Sequence, residues 1–214
     1  MYSTWKNPKI LINGSGVDCI DAIISLNSFI DPLFLTQEKS SQFWNATNGI
    51  GGQLSLSYYY TGTDPLKVFT YYERDKISGN YGGLYFTSGY LSNYSLSCSP
   101  NSPVIASADI RFFDALSGLF TNTYIRSTGT KVLNYCDASL IDTSNDGAGG
   151  SLGNISGISN IQFSFQSEIN PLYLAGDQMP ASINFGKKEL IAAFTVDCYS
   201  GDLPITGKPA GIKV

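Results

Sequence analysis

Seventeen carboxylates and four cysteines are the side chains of this 214-residue chain that could carry catalysis, and there is no histidine to help them. Without imidazole, Ser-His-Asp and Cys-His nucleophiles, HExxH zinc sites and histidine proton shuttles are all excluded. Cys19, Cys98, Cys136 and Cys198 form no CxxC pair, and Cys19, Cys98 and Cys198 each fall in a strand-like run. A buried thiol in such a run behaves as a small apolar side chain. Residues Met1 to Pro8 show neither an apolar core nor a small-residue cleavage site, so no secretory leader and no disulfides are expected. Two carboxylates can hydrolyse a glycoside unaided. Here, however, most acids sit in turn contexts such as Asp31-Pro32, Asp64-Pro65 and Asp146-Gly147, where their role is to cap. The string Asp142 to Gly147 resembles the start of a calcium loop, but its twelfth position is Gly153, where a bidentate Glu is needed. The sequence therefore assigns no catalytic residue, no metal and no cofactor.

Only 14% of the residues are charged, against the roughly 25% usual in globular domains. Thirteen Lys and Arg against seventeen Asp and Glu leave a net charge of −4. That balance excludes a duplex-wrapping surface, which needs clustered basic residues. No apolar run approaches the ~20 residues of a membrane-spanning helix.

The elements that would position any site are mostly strands. Ile24 to Asn27, Leu54 to Tyr58, Tyr94 to Ser97, Ile161 to Phe165 and Ile191 to Val196 alternate apolar with small polar residues, between turns rich in Gly, Pro, Asn and Asp. Alternation buries one face of a strand and leaves the other wet or against a partner. One segment departs from it: Asp64 caps, Pro65 takes the first helical position, and Leu66, Phe69 and Tyr72 follow at helical spacing. The spacing predicts one flanking helix over residues 65–76. The Gly-rich stretch at residues 142–157 is expected to be a flexible loop.

The chain also repeats itself at an offset of 139 residues. Residues 24–35 and 163–174 agree at six of twelve positions, including the corner Ile30, Pro32, Leu33, Leu35 and its copy Ile169, Pro171, Leu172, Leu174. Tyr60-Thr61-Gly62 matches Tyr199-Ser200-Gly201 at the same offset, while residues 66–138 have no counterpart. The expectation is one mainly β domain over residues 1–214, an antiparallel β-sandwich or half-barrel with one helix and a strand pair duplicated at about 20–62 and 158–201.

The order Asn170-Pro171-Leu172-Tyr173-Leu174-Ala175-Gly176-Asp177-Gln178-Met179-Pro180-Ala181, followed by Ile183-Asn184-Phe185-Gly186 and a closing strand, resembles the tail tube proteins of tailed bacteriophages. The opening Ile10 to Ser15, the loop Gly49 to Gly52 and Gly89-Tyr90-Leu91 suit the same family, and the likeness spans roughly residues 9–200. It implies a structural virion protein, made in the host bacterial cytoplasm. Such subunits form rings, commonly hexameric, whose sheets join edge to edge into a β-barrel that DNA traverses without specific binding. A trimer with pseudo-six-fold symmetry is the alternative assembly. Other tail proteins (tape measure, terminator, baseplate) are the implied partners, and no membrane is involved. Candidate interface residues are the corners Ile30, Pro32, Leu33, Phe34, Leu35 and Ile169, Pro171, Leu172, Tyr173, Leu174, and an arm over residues 36–52 bearing Phe43 and Trp44. Two other readings stay open. One is a different tail ring, such as a terminator, neck or baseplate component. The other is a carbohydrate-binding sandwich using an aromatic platform such as Trp44-Asn45.

Overall fold

Where the sequence alternates, the backbone is extended. The computed structural model describes residues 9–27, 30–33, 43–46, 50–66, 75–121, 131–134, 158–175 and 177–196. Among them are β1 (Ile10–Ile12), β2 (Ser15–Gly16), β3 (Cys19–Asn27), β4 (Ile30–Leu33), β5 (Phe43–Ala46) and β6 (Gly51–Tyr59). There follow β7 (Ile77–Tyr81), β8 (Leu84–Cys98), β9 (Ile105–Phe112), β10 (Ile158–Leu172) and β11 (Ser182–Val196). Six strands pair antiparallel in the order β11-β10-β8-β9-β6-β3. A side limb of β7, β1 and β2 joins β8 at Leu84 to Gly89, on the flank that β10 takes at Asn93 to Cys98. β4 and β5 form a separate two-stranded sheet. The mainly β, antiparallel expectation is met. None of the described residues is helical, and residues 67–74 of the predicted helix lie outside them, as do the Gly-rich loop at 142–157, Cys136 and Cys198.

One face of the sheet is apolar. Leu54, Leu56 and Tyr58 of β6 meet Ala106, Ala108, Ile110 and Phe112 of β9, with Tyr94 and Leu96 of β8 and Phe163 and Phe165 of β10 alongside. Burying each large side chain contributes roughly 1.5–3 kcal/mol. The side limb curls over this face, adding Ile10, Ile12, Ile77 and Tyr81 to the same cluster, and the Tyr81 hydroxyl donates to the Ala22 carbonyl at 3.2 Å. Phe86 and Phe112 stack with centroids 4.6 Å apart. Gly52 makes room for them, since a Cβ there would strike the Phe112 ring and the Ser25 carbonyl. Among the described residues the sheet does not close on itself: β3 and β11 remain as its two borders.

The repeat seen in the sequence is also a repeat of hydrogen-bonded register. Ile30 pairs with Ala46 and Leu33 with Phe43; 139 residues later Ile169 pairs with Phe185 and Leu172 with Ser182. Nine residues separate β4 from β5, and nine separate β10 from β11. The inner parts, β3 with β6 and the start of β10 with the end of β11, pair likewise but one residue out of step: Ile24 meets Leu54, whereas Phe163 meets Ala192. Bulges at Cys19/Asp21, Ile158/Asn160 and Ser167/Ile169 accompany that slip. The two hairpins flank the central β8–β9 pair, and their ends point the same way because every intervening pairing is antiparallel.

A buried carboxylate anchors the end of β6. Asp64, 7% exposed, accepts from the Tyr58 hydroxyl at 2.8 Å and the Leu66 amide at 3.0 Å, the cap expected of an Asp before Pro. Burial first, and then the charge of Asp64, push the Tyr58 and Tyr94 hydroxyls above the ordinary tyrosine range. Tyr58→Phe removes the donor and should cost roughly 1–3 kcal/mol in urea unfolding, because the buried carboxylate loses its partner. The raised hydroxyls set a sign for pH. Folded tyrosines keep protons that unfolded ones release above about pH 10, so stability is flat below that pH and falls above it. The slope should approach ~1.4 kcal/mol per pH unit for each tyrosine. Urea midpoints measured from pH 8 to 11 check this, and Tyr58→Phe should shallow the decline.

Candidate functional site: the open trough and its borders

Opposite the core, the same strands present hydroxyls, amides and carboxylates in rows. Pairing aligns Ile23, Ser55, Asp109, Asn93, Gln166 and Glu189 across the six strands. The next row reads Asp21, Ser57, Ser107, Ser95, Ser164 and Ile191, with four serines side by side. Curvature makes this face a trough of about 350 Å³. Serine suits the concave side, where a longer side chain would fill the hollow.

The floor is held by uncharged donors. Ser55 Oγ donates to Asp109 Oδ1 at 2.6 Å, Asn93 Nδ2 donates to Asp109 Oδ2 at 3.1 Å, and Gln53 Nε2 donates to Ser55 Oγ at 3.0 Å. Ser57 and Ser107 share a hydrogen bond of 2.8 Å. Asp21, Asp109 and Glu189 line the trough, and among the described residues no Lys or Arg does. Lys187 approaches Glu189 at 3.9 Å, with both side chains exposed, a geometry worth little in water. Arg111, the next position on this face of β9, is turned aside: its guanidinium donates to the Ile169 carbonyl at 3.3 Å and lies 5.7 Å from the Phe113 ring centroid. There a second, smaller core of Tyr90, Phe113 and Ile169, backed by Ile183 and Phe185, closes one end of the trough. The outer half of the β10–β11 hairpin thus leans across β8 and β9, and at its tip the Gln178 carbonyl accepts from the Ile50 amide at 2.8 Å.

Among the described residues no strand pairs with the outer side of β3 or β11. β3 carries one charge, Asp21, and no proline; Ile191 to Val196 of β11 carry neither. Ile20, Ile23 and Leu26 on β3 are 46–60% exposed, and Ile191 on β11 is 51% exposed. Cys19, also on β3, is a free thiol. Burial first, then Asp18 and Asp21, push its pKa up to about 12, which makes it inert rather than nucleophilic. Among the described residues no group of three or more potential ligands could hold a metal.

The sequence-derived interface candidates are distributed over both hairpins. Ile169 is buried inside the chain, Pro171 and Tyr173 are half-buried, and Leu172 and Leu174 are exposed. Ile30, Pro32 and Leu33 lie on β4, paired in register with Ala46, Trp44 and Phe43 of β5; Phe34 and Leu35 lie outside the described residues. Sequence reasoning missed the trough and its central Asp109. Its signal was present: the outward positions of neighbouring alternating strands are repeatedly serine, but only strand order shows that they adjoin.

The chain matches no family model and no curated protein. Asp109→Ala should leave Ser55 and Asn93 without their acceptor and lower stability by about 1 kcal/mol in urea unfolding. Ser97→Ala, an exposed hydroxyl outside this network, serves as the control and should change it by less than about 0.5 kcal/mol.

Proposed function

We propose that the chain is a non-enzymatic structural subunit that pairs with copies of itself, edge to edge, into a ring. The rings stack as the tail tube of a tailed bacteriophage, the conduit through which the genome is ejected. The observation that carries this reading is the pair of bare borders. Six strands in strictly antiparallel order give β3 and β11 opposite directions, so β3 of one copy can continue the ladder onto β11 of the next, antiparallel as everywhere else. A pairing of β3 with a second β3 would stop at a dimer and leave β11 uncovered. Head-to-tail pairing leaves no border exposed once the ring closes. Monomeric proteins guard such borders with Lys, Pro or short strands; the nine-residue β3 has neither Lys nor Pro, and the Lys187-Lys188 pair of β11 lies outside its Ile191 to Val196 half.

The trough supports the same reading. Placed on the bore side, a serine floor with Asp21, Asp109 and Glu189 would repel a passing polyanion, whereas Lys and Arg would hold it. A different ring of the same tail would use the same borders, and copy number separates the two, since a tube subunit is among the most abundant virion bands and a terminator is scarce. A sugar-binding role is less favoured, because neither trough row carries an aromatic platform.

Ile23→Lys and Ile191→Lys place a charge on side chains that are already more than half exposed, so the subunit should stay folded with an unchanged urea midpoint. Negative-stain microscopy and sedimentation should show rings or tubes for the wild-type protein and monomers for either variant. Normal tubes from both variants would overturn the border assignment.

A further inference from the structure

The duplicated register says what the separate β4–β5 arm does. In the second hairpin, the positions that alternate inward on the outer half are Ile169, Pro171, Ile183 and Phe185; Ile169, Ile183 and Phe185 pack on Tyr90 and Phe113 of the adjoining β8–β9 pair. In the first hairpin the same register positions are held by Ile30, Pro32, Trp44 and Ala46, all apolar, while of the alternate positions Asp31 and Asn45 match Asn170 and Asn184, and Leu33 and Phe43 match Leu172 and Ser182. The inward pattern is thus kept in both copies of the repeat. What differs is the neighbour. The second hairpin leans toward β6, as its contact with Ile50 shows, and so lies over strands of its own chain. The first hairpin is at the border. A lean in the same sense would carry it beyond β3, where no described strand of the sheet follows.

We infer that the β4–β5 arm packs its Ile30/Pro32/Trp44 side on the β10–β11 hairpin of a neighbouring copy, repeating between chains the contact that the second hairpin makes within one. This rests on the head-to-tail ring, which places β11 and β10 of the next copy next to β3. The receiving surface is present: Leu172, Leu174 and Met179, at the end of the β10–β11 hairpin, are 51–58% exposed. Two features that are otherwise unexplained, an arm with an apolar inward pattern and an apolar hairpin tip in water, then cover each other.

The register makes a discriminating test possible, because the adjacent residues Phe43 and Trp44 fall on opposite sides of the arm. Phe43 occupies the position of exposed Ser182, and Trp44 that of half-buried Ile183. Trp44→Asp and, on the receiving side, Leu174→Asp should each raise the protein concentration needed for ring formation by about tenfold or more, the loss of one apolar anchor. Phe43→Asp should leave it within about threefold of wild type. Circular dichroism and urea midpoints check that all three variants fold; Leu174 is exposed, so its variant tests the contact even where an arm variant is unstable. In hydrogen exchange, assembly should protect residues 172–184 in the wild type and in Phe43→Asp, and not in Trp44→Asp. Trp44→Asp and Leu174→Asp rings forming at the wild-type concentration, or Phe43→Asp being as damaging as Trp44→Asp, would overturn the arm contact and leave the ring standing. A wild-type protein that forms no rings would overturn both.

Discussion

An extended strand can satisfy only half of its backbone polar groups on each side, and the border strands of an open sheet have a neighbour on one side alone. That constraint organises this molecule. From β11 through β10, β8, β9 and β6 to β3, each ladder is matched until the last strand on either flank. Neither border carries a proline, β3 has one charge, Asp21, the Ile191 to Val196 half of β11 has none, and both present exposed isoleucine. Two long borders of opposite direction are what the proposed ring requires, since each can then continue onto the other border of a second copy.

The two faces of the sheet divide the remaining work. The core face takes the aromatic and branched residues, and the side limb covers it, so the subunit has a stable interior before it meets a partner. The concave face takes serine, asparagine and three acids, and Arg111 beside them is diverted to a carbonyl and an aromatic ring. A surface so built is wet, smooth and weakly negative. It suits a channel wall better than a pocket, since nothing in its two rows would grip one ligand. Asp64 belongs to the opposite category, a polar group tolerated in the interior because Tyr58 and the Leu66 amide occupy it.

Much of the fold was legible in the residues. Period-two alternation marked β6, the second half of β8 and the first half of β10, and the 139-residue echo found both hairpins before any coordinate did. The echo was legible because Ile30, Pro32 and Leu33 and their copies Ile169, Pro171 and Leu172 hold the same register positions in the two hairpins. The trough was not, since it arises from positions on six strands whose order depends on long-range pairing. Asp109 looked like any acid between apolar neighbours until β6 and β8 were laid on either side of it. Nor did the corner motif reveal that Ile169 is consumed inside the chain while Leu172 and Leu174 stay exposed, a difference set by which side of that hairpin packs on Tyr90 and Phe113.

The central claim, that the two borders complete one another in a closed circle of copies, is open to one direct view. Cryo-electron microscopy of the assembled protein should show β3 of each subunit hydrogen-bonded antiparallel to β11 of the next, with Asp21, Asp109 and Glu189 facing the bore. Assemblies in which these strands remain apart, or whose bore is lined by Lys and Arg, would contradict it.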